Sequence, residues 1–138
     1  MIILNRCYYK EILAHGINEL PNEACGLIAG RIKDGDKIIE KVYLLSNADH
    51  SPEHFSMEPQ EQFTAVKDMR KNGLVLLGNF HSHPASPARP SQEDIRLAFA
   101  PDYSYLILSL MEQENPVLKS FKIVDREVSA EELIIGGE

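Results

Sequence analysis

Two kinds of apolar spacing alternate along this chain: runs of strand length, and stretches whose apolar residues fall three and four apart. Ile2, Ile3 and Leu4 predict a short strand. Asn5 then suits the cap of a helix through residues 6–20, in which Tyr8, Ile12 and His15 share a stripe with Leu13, Ile17 and Leu20 beside it. ACGLIAGRI and KIIEKVYLLSN predict two strands, and Asp34-Gly35 between them is a hairpin signal. ADHSPEHFSM reads as a polar loop. Pro59 suits the first turn of a second helix, with Phe63, Val66 and Met69 as its core stripe and Gly73 as its stop. LVLLGNF predicts a buried strand and SQEDIRLAFA a short helix ended by Pro101. YSYLILSL and VLKSFKIVD predict two closing strands around the turn QENP. The expectation is an α/β chain: roughly six strands in a mixed β-sheet, flanked by about three helices, as a single domain over residues 1–138. The last residues, SAEELIIGGE with its terminal di-glycine, read as a flexible tail.

Composition narrows the function classes. At 138 residues the chain buries one core without staples, and 43% hydrophobic against 25% charged residues is a soluble balance. No apolar run approaches the ~20 residues of a membrane span, and the start lacks the basic lead-in and apolar stretch of a secretory signal. Cys7 and Cys25 are too few for a disulfide framework, so the cytoplasm is the expected compartment. A net charge of −7 argues against nucleic acid, and no basic amphipathic helix offers itself to a membrane. An acidic surface is compatible with a protein partner.

The ionisable chemistry collects in GNFHSHPASPARPSQED, residues 78–94. On a strand, His81 and His83 project to the same face, and Pro84 ends the strand behind them. Paired imidazoles on a rigid strand suit zinc, although a lone H-x-H is also what an ordinary polar strand end looks like. Ser91 and Asp94 resemble a helix capping box, and a helix start is a rigid place from which Asp94 reaches back toward the histidines. A hydrolytic zinc site needs three protein ligands, an open position for water and a base. His81, His83 and Asp94 supply the three, and Glu23 in NEACGLIAG is a candidate base, though spacing alone reads it as a surface acid.

The pattern His81-x-His83-x7-Ser91-x2-Asp94, with Glu23 upstream and Gly78 before the histidines, resembles the JAMM (MPN-plus) metallopeptidase family. The likeness covers nearly the whole chain, and none of the five site positions departs from the family pattern. It implies the JAMM/MPN, cytidine-deaminase-like architecture and one Zn2+ per chain on His81, His83 and Asp94. It also implies Glu23 as general base for the attacking water and Ser91 as hydrogen-bond donor to the oxyanion. The chain looks like the short bacterial and archaeal members. Their substrates are small β-grasp proteins, sulfur carriers or ubiquitin-like modifiers, cut at the amide after a C-terminal Gly-Gly. Only glycines thread a narrow passage without side-chain clashes, and such a tail is expected to add as a strand beside PASPARP.

Three rival readings are weaker. HSPEH, His50 to His54, fits H-x-x-E-H, but Pro52 interrupts the helix that spacing needs. A zinc deaminase requires H-x-E with P-C-x-x-C, and no C-x-x-C exists. A non-catalytic MPN scaffold binding a protein partner usually loses zinc ligands or the base, and all are kept. Cys25 reads as a small packed residue and His15 as structural or surface.

Overall fold

The computed structural model describes residues 1–137. Its elements run β1 (Ile2–Asn5), α1 (Arg6–Glu19), β2 (Cys25–Lys33), β3 (Asp36–Leu45), α2 (Pro59–Lys71), β4 (Val75–His83), α3 (Gln92–Leu97), β5 (Ser104–Ser109), β6 (Val117–Val124), β7 (Glu127–Glu131) and β8 (Leu133–Gly136). All the strands join one mixed sheet in the order β7-β6-β5-β4-β2-β3-β1-β8. Pairing is parallel at β1–β3, β1–β8 and β4–β5, and antiparallel elsewhere. This is the expected α/β domain with three helices, carrying more strands than the six predicted.

Local signals explain most element ends. Asn5 accepts a hydrogen bond from the Cys7 amide and so caps α1. Asp34 and Gly35 both take positive φ, as the two-residue hairpin between β2 and β3 demands. Pro59 opens α2, and Gly73 at φ +69 follows its C-cap.

Three expectations need correction. The tail is not loose up to Gly136: residues 127–131 pair with β6, and 133–136 pair in parallel with β1. Strands at both edges of the sheet are built from it, so chain order hides partners more than a hundred residues away. Only Glu138 lies outside the described residues. Phe63 is not core: it is 60% exposed, with the Lys67 ammonium over its ring, whereas α2 buries Ala65 and Met69. A small residue carries part of the true stripe, which leaves little pattern to read. The third helix stops at Leu97, well short of Pro101. His15, read as structural or surface, is structural: its Nε2 lies 2.9 Å from the Leu45 carbonyl and 3.1 Å from that of Cys25.

The sheet separates two apolar layers. On the α1 side Ile12 packs with Ile28, Leu77, Phe80, Leu106 and Leu108. Gly16 lets the helix settle against Leu108 and Leu110. On the other side α2 covers Cys25, Leu27, Ala29 and Leu45. Within β4 the side-chain phase breaks. Leu76 and Leu77 face α2 and α1 respectively, yet Asn79 lies on the Leu76 side and Phe80 on the Leu77 side. The cause is a bulge: Ile28 pairs with Gly78 but Ala29 with Leu76, leaving Leu77 as the extra residue. Gly78 takes φ +157, and a Cβ there would collide with the Ser104 backbone.

Candidate metal centre and active site

Beyond the bulge, strand alternation carries Asn79, His81 and His83 onto the α2 side. His81 and His83 are 2% and 4% exposed, fixed in a strand paired on both sides. Asp94 comes from the first turn of α3, held by a complete capping box. The Ser91 hydroxyl accepts from the Asp94 amide at 3.0 Å, and Asp94 Oδ2 accepts from the Ser91 amide at 2.9 Å.

Three donor atoms converge. His81 Nε2 and His83 Nε2 stand 3.0 Å apart, and each lies 3.1 Å from Asp94 Oδ2. Ligands at 2.0–2.1 Å on one face of a tetrahedron would be about 3.3 Å apart. The triangle therefore fits a small four-coordinate cation with little adjustment, and the His/His/carboxylate set is one that zinc takes. His83 is already oriented for it, since Nδ1 donates to the Pro87 carbonyl at 2.9 Å and leaves Nε2 to bind. His81 is held differently, by the Phe55 ring stacked on it at 4.7 Å between centroids.

The aspartate and the two histidines are electrostatically coupled. Burial raises the Asp94 carboxyl, but hydrogen bonds from both imidazoles and the Ser91 amide outweigh it and hold the group well below the usual carboxylate range. Burial pulls the His83 imidazole down, yet its bonds to Asp94 and Pro87 and the nearby carboxylates leave it above its ordinary value.

Glu23 sits just before β2. The β2–β4 register runs on past Cys25 and His81, with the Ser82 amide donating to the Ala24 carbonyl, which brings Glu23 alongside His83. The carboxyl is 4% exposed, and Oε1 has no hydrogen-bond partner. Burial, reinforced by Asp94 and only partly countered by His83, pushes its pKa up to about 8. That is a group able to take and return a proton near neutrality.

Several residues that position this carboxylate were not singled out in the sequence. Asn47, 2% exposed, donates to the Glu23 carbonyl at 3.0 Å and to that of His54 at 3.1 Å, while its own oxygen accepts from the Asp49 and Ser56 amides. Ser82, between the histidines, accepts from the Ala24 amide at 2.7 Å. Phe55, stacked on His81, was likewise not singled out. The clue to Asn47 was the Asn-x-Asp pattern of an Asx turn at a strand end; nothing marked Phe55.

The rival residues are not brought together. His54 pairs with Asp49 at 3.1 Å, His50 takes φ +46 in the loop, and among the described residues only His81, His83 and Asp94 form a metal-competent group. Cys25 is a buried free thiol pushed up to about 12 by burial, hence inert. Beside the triad a cleft of about 360 Å³ opens between α2 and α3, walled by Phe55, Met57, Leu97, Phe99 and Tyr105.

This sheet, with a His-x-His strand end facing a helix-borne aspartate, defines a JAB1/MPN-type domain. The chain matches the model for prokaryotic homologs of the JAB domain over residues 6–124, and it belongs to that family. It is 30% identical to the CysO-cysteine peptidase of Mycobacterium tuberculosis over 95% of this chain and 88% of that protein. It is 31% identical to the desampylase of Pyrococcus furiosus over 68% of this chain and 64% of that protein. Among solved structures, a protein of Desulfitobacterium hafniense is 61% identical with a TM-score of 0.92, over all of this chain and 94% of its own. A JAB1/MPN domain protein of Archaeoglobus fulgidus is 26% identical with a TM-score of 0.63, covering 98% of both chains. No helix among the described residues is long and apolar enough to cross a membrane.

Proposed function

We propose that this chain is a zinc-dependent peptidase or isopeptidase. In this reading it hydrolyses the amide after a C-terminal Gly-Gly on a small sulfur-carrier or ubiquitin-like protein in the cytoplasm. The observation that carries the reading is the convergence of His81 Nε2, His83 Nε2 and Asp94 Oδ2 within 3.1 Å of one another, with a buried, proton-holding Glu23 alongside. Relatives named as a CysO-cysteine peptidase and a desampylase support the kind of reaction.

His81, His83 and Asp94 would hold the metal, one Zn2+ per chain. When bound, zinc polarises the scissile carbonyl and lowers the pKa of water to about 7. Glu23 takes a proton from the attacking water as its oxygen adds to the carbonyl carbon. It then returns that proton to the nitrogen as the C–N bond breaks, so a free carboxylate and an amine leave. Ser91 spends its oxygen lone pair on the Asp94 amide. Its hydroxyl proton remains to donate to the oxyanion, a role worth ~10²–10³ in turnover. Glu23 near pKa 8 keeps its proton in the buried pocket, and a positive charge bound beside it would favour the carboxylate needed for catalysis.

The substrate tail would run beside residues 84–90. Ala85 and Ser86 are exposed there, and the Ser86 carbonyl is anchored by the Ser109 hydroxyl at 2.6 Å, which keeps the loop in one shape. The test is elemental analysis for zinc, with mass spectrometry of a Gly-Gly-extended β-grasp carrier incubated with wild type and Glu23→Gln. One zinc per chain and cleavage after the di-glycine by wild type alone is the expected result. A wild type that takes up no supplied zinc returns the chain to the scaffold class.

A further inference from the structure

Among the described residues three buried side-chain polar atoms lack a hydrogen-bond partner: Glu23 Oε1, His81 Nδ1 and Asn79 Oδ1. Buried polar groups are nearly always paired, so each needs a reason. Glu23 has one in the chemistry proposed above. The other two are complementary. With Nε2 turned toward a metal, the His81 ring carries its proton on Nδ1 and is a donor there, whereas an amide oxygen is an acceptor.

Placement favours their meeting. Asn79 and His81 share the α2 side of β4, two residues or about 6.6 Å apart along the strand, and both line the cleft. Rotation of the amide, or one bridging water, closes such a span. Competing partners are absent or engaged. The register neighbours of Asn79 are Leu27, which is apolar, and Tyr105, whose hydroxyl donates to the Ala100 carbonyl at 3.2 Å. Those of His81 are Ile107 and Cys25, whose thiol turns to the Leu45 and Ser46 carbonyls. His83 meets the same requirement through Pro87, and His81 has no such carbonyl.

We propose that Asn79 is a positioning residue for His81. Its amide oxygen accepts the Nδ1 proton, directly or through one water, and so fixes the tautomer and ring angle that present Nε2 to the metal. Phe55 holds the ring separately, by stacking on its face. The inference rests on the reading of His81 as a zinc ligand.

Chelator competition on zinc-loaded protein tests it. Asn79→Leu removes the acceptor and should release zinc about 10–100-fold more readily, the usual effect of losing such a partner. Asn79→Asp keeps an acceptor and should hold zinc within about threefold of wild type. In the zinc-loaded wild type, the 15N ring spectrum should show a hydrogen-bonded proton on His81 Nδ1. That spectrum and Asn79→Asp decide the matter if Asn79→Leu does not fold. A folded Asn79→Leu with wild-type affinity, an Asn79→Asp that loses zinc about 10–100-fold more readily, or a His81 Nδ1 proton that shows no hydrogen bond overturns the proposal while leaving the zinc peptidase standing. A His81 proton on Nε2 in zinc-loaded protein overturns both, because that nitrogen could not then bind the metal. A wild type that binds no zinc overturns both.

Discussion

The two faces of the sheet are built from alternate residues of the same strands, yet they behave as different materials. Under α1, Ile28, Phe80, Leu106 and Leu108 close against Ile12 with at most 1% exposure, and none of the buried unpartnered polar atoms among the described residues lies there. On the α2 side the three unpartnered polar atoms belong to one strand pair and its approach, and two of them, on Asn79 and His81, lie on residues lining an open cleft. One face spends its burial on stability. The other leaves polar groups unpaired around the candidate metal site.

Mutations should separate the faces. Glu23→Gln should cut turnover by roughly 10²–10⁴-fold with zinc content unchanged, the ordinary worth of a general base, as kinetics and elemental analysis on one sample would show. Leu106→Ala on the closed face should cost about 2–5 kcal/mol in denaturant unfolding, yet the folded fraction should keep its zinc and activity. A parallel loss of zinc affinity there would mean the faces are not separable. Gly78→Ala strikes the bulge that links them. A Cβ against the Ser104 backbone should cost about 2–3 kcal/mol and also weaken zinc binding, because the bulge sets which way the histidines point.

The smallest effect is one of pH. In metal-free protein the Glu23 pKa of about 8 stands above its ordinary 4.5, so between those values the folded state holds a proton the unfolded chain has lost. Stability from this group therefore falls as pH rises from about 4.5 to 8, and the penalty is complete above 8. Metal-free Glu23→Gln should melt above wild type at pH 9, by roughly 5 °C, with the gap closing near pH 5. A gap independent of pH would mean Glu23 is not buried as a titrating group.

Much of the fold was readable where short-range chemistry controls it. Asn5, Asp34-Gly35, Pro59 and the Ser91–Asp94 box each act within a few residues of themselves, and each stands where its type predicts. The failures were long-range. LIIG at 133–136 becomes a strand only because β1 offers its edge, and no local pattern in a tail announces a partner at the other end of the chain. Phe63 looked like core because Val66 and Met69 follow at helical spacing, but contact with the sheet selected Ala65 instead.

The site divides in the same way. The sequence by itself determined the candidate ligand types, the strand-end placement of His81 and His83, and the capped helix start that bears Asp94, all within 14 residues. Tertiary structure alone decided which face those histidines occupy, through one extra residue at the β4 bulge. It alone brought Glu23 beside them across 58 residues' worth of pairing, as the Ala24–Ser82 bond records. It alone gave that carboxylate its pKa, because a side chain's proton affinity is set by the water it loses and the charges it meets, and neither is written in its neighbours along the chain.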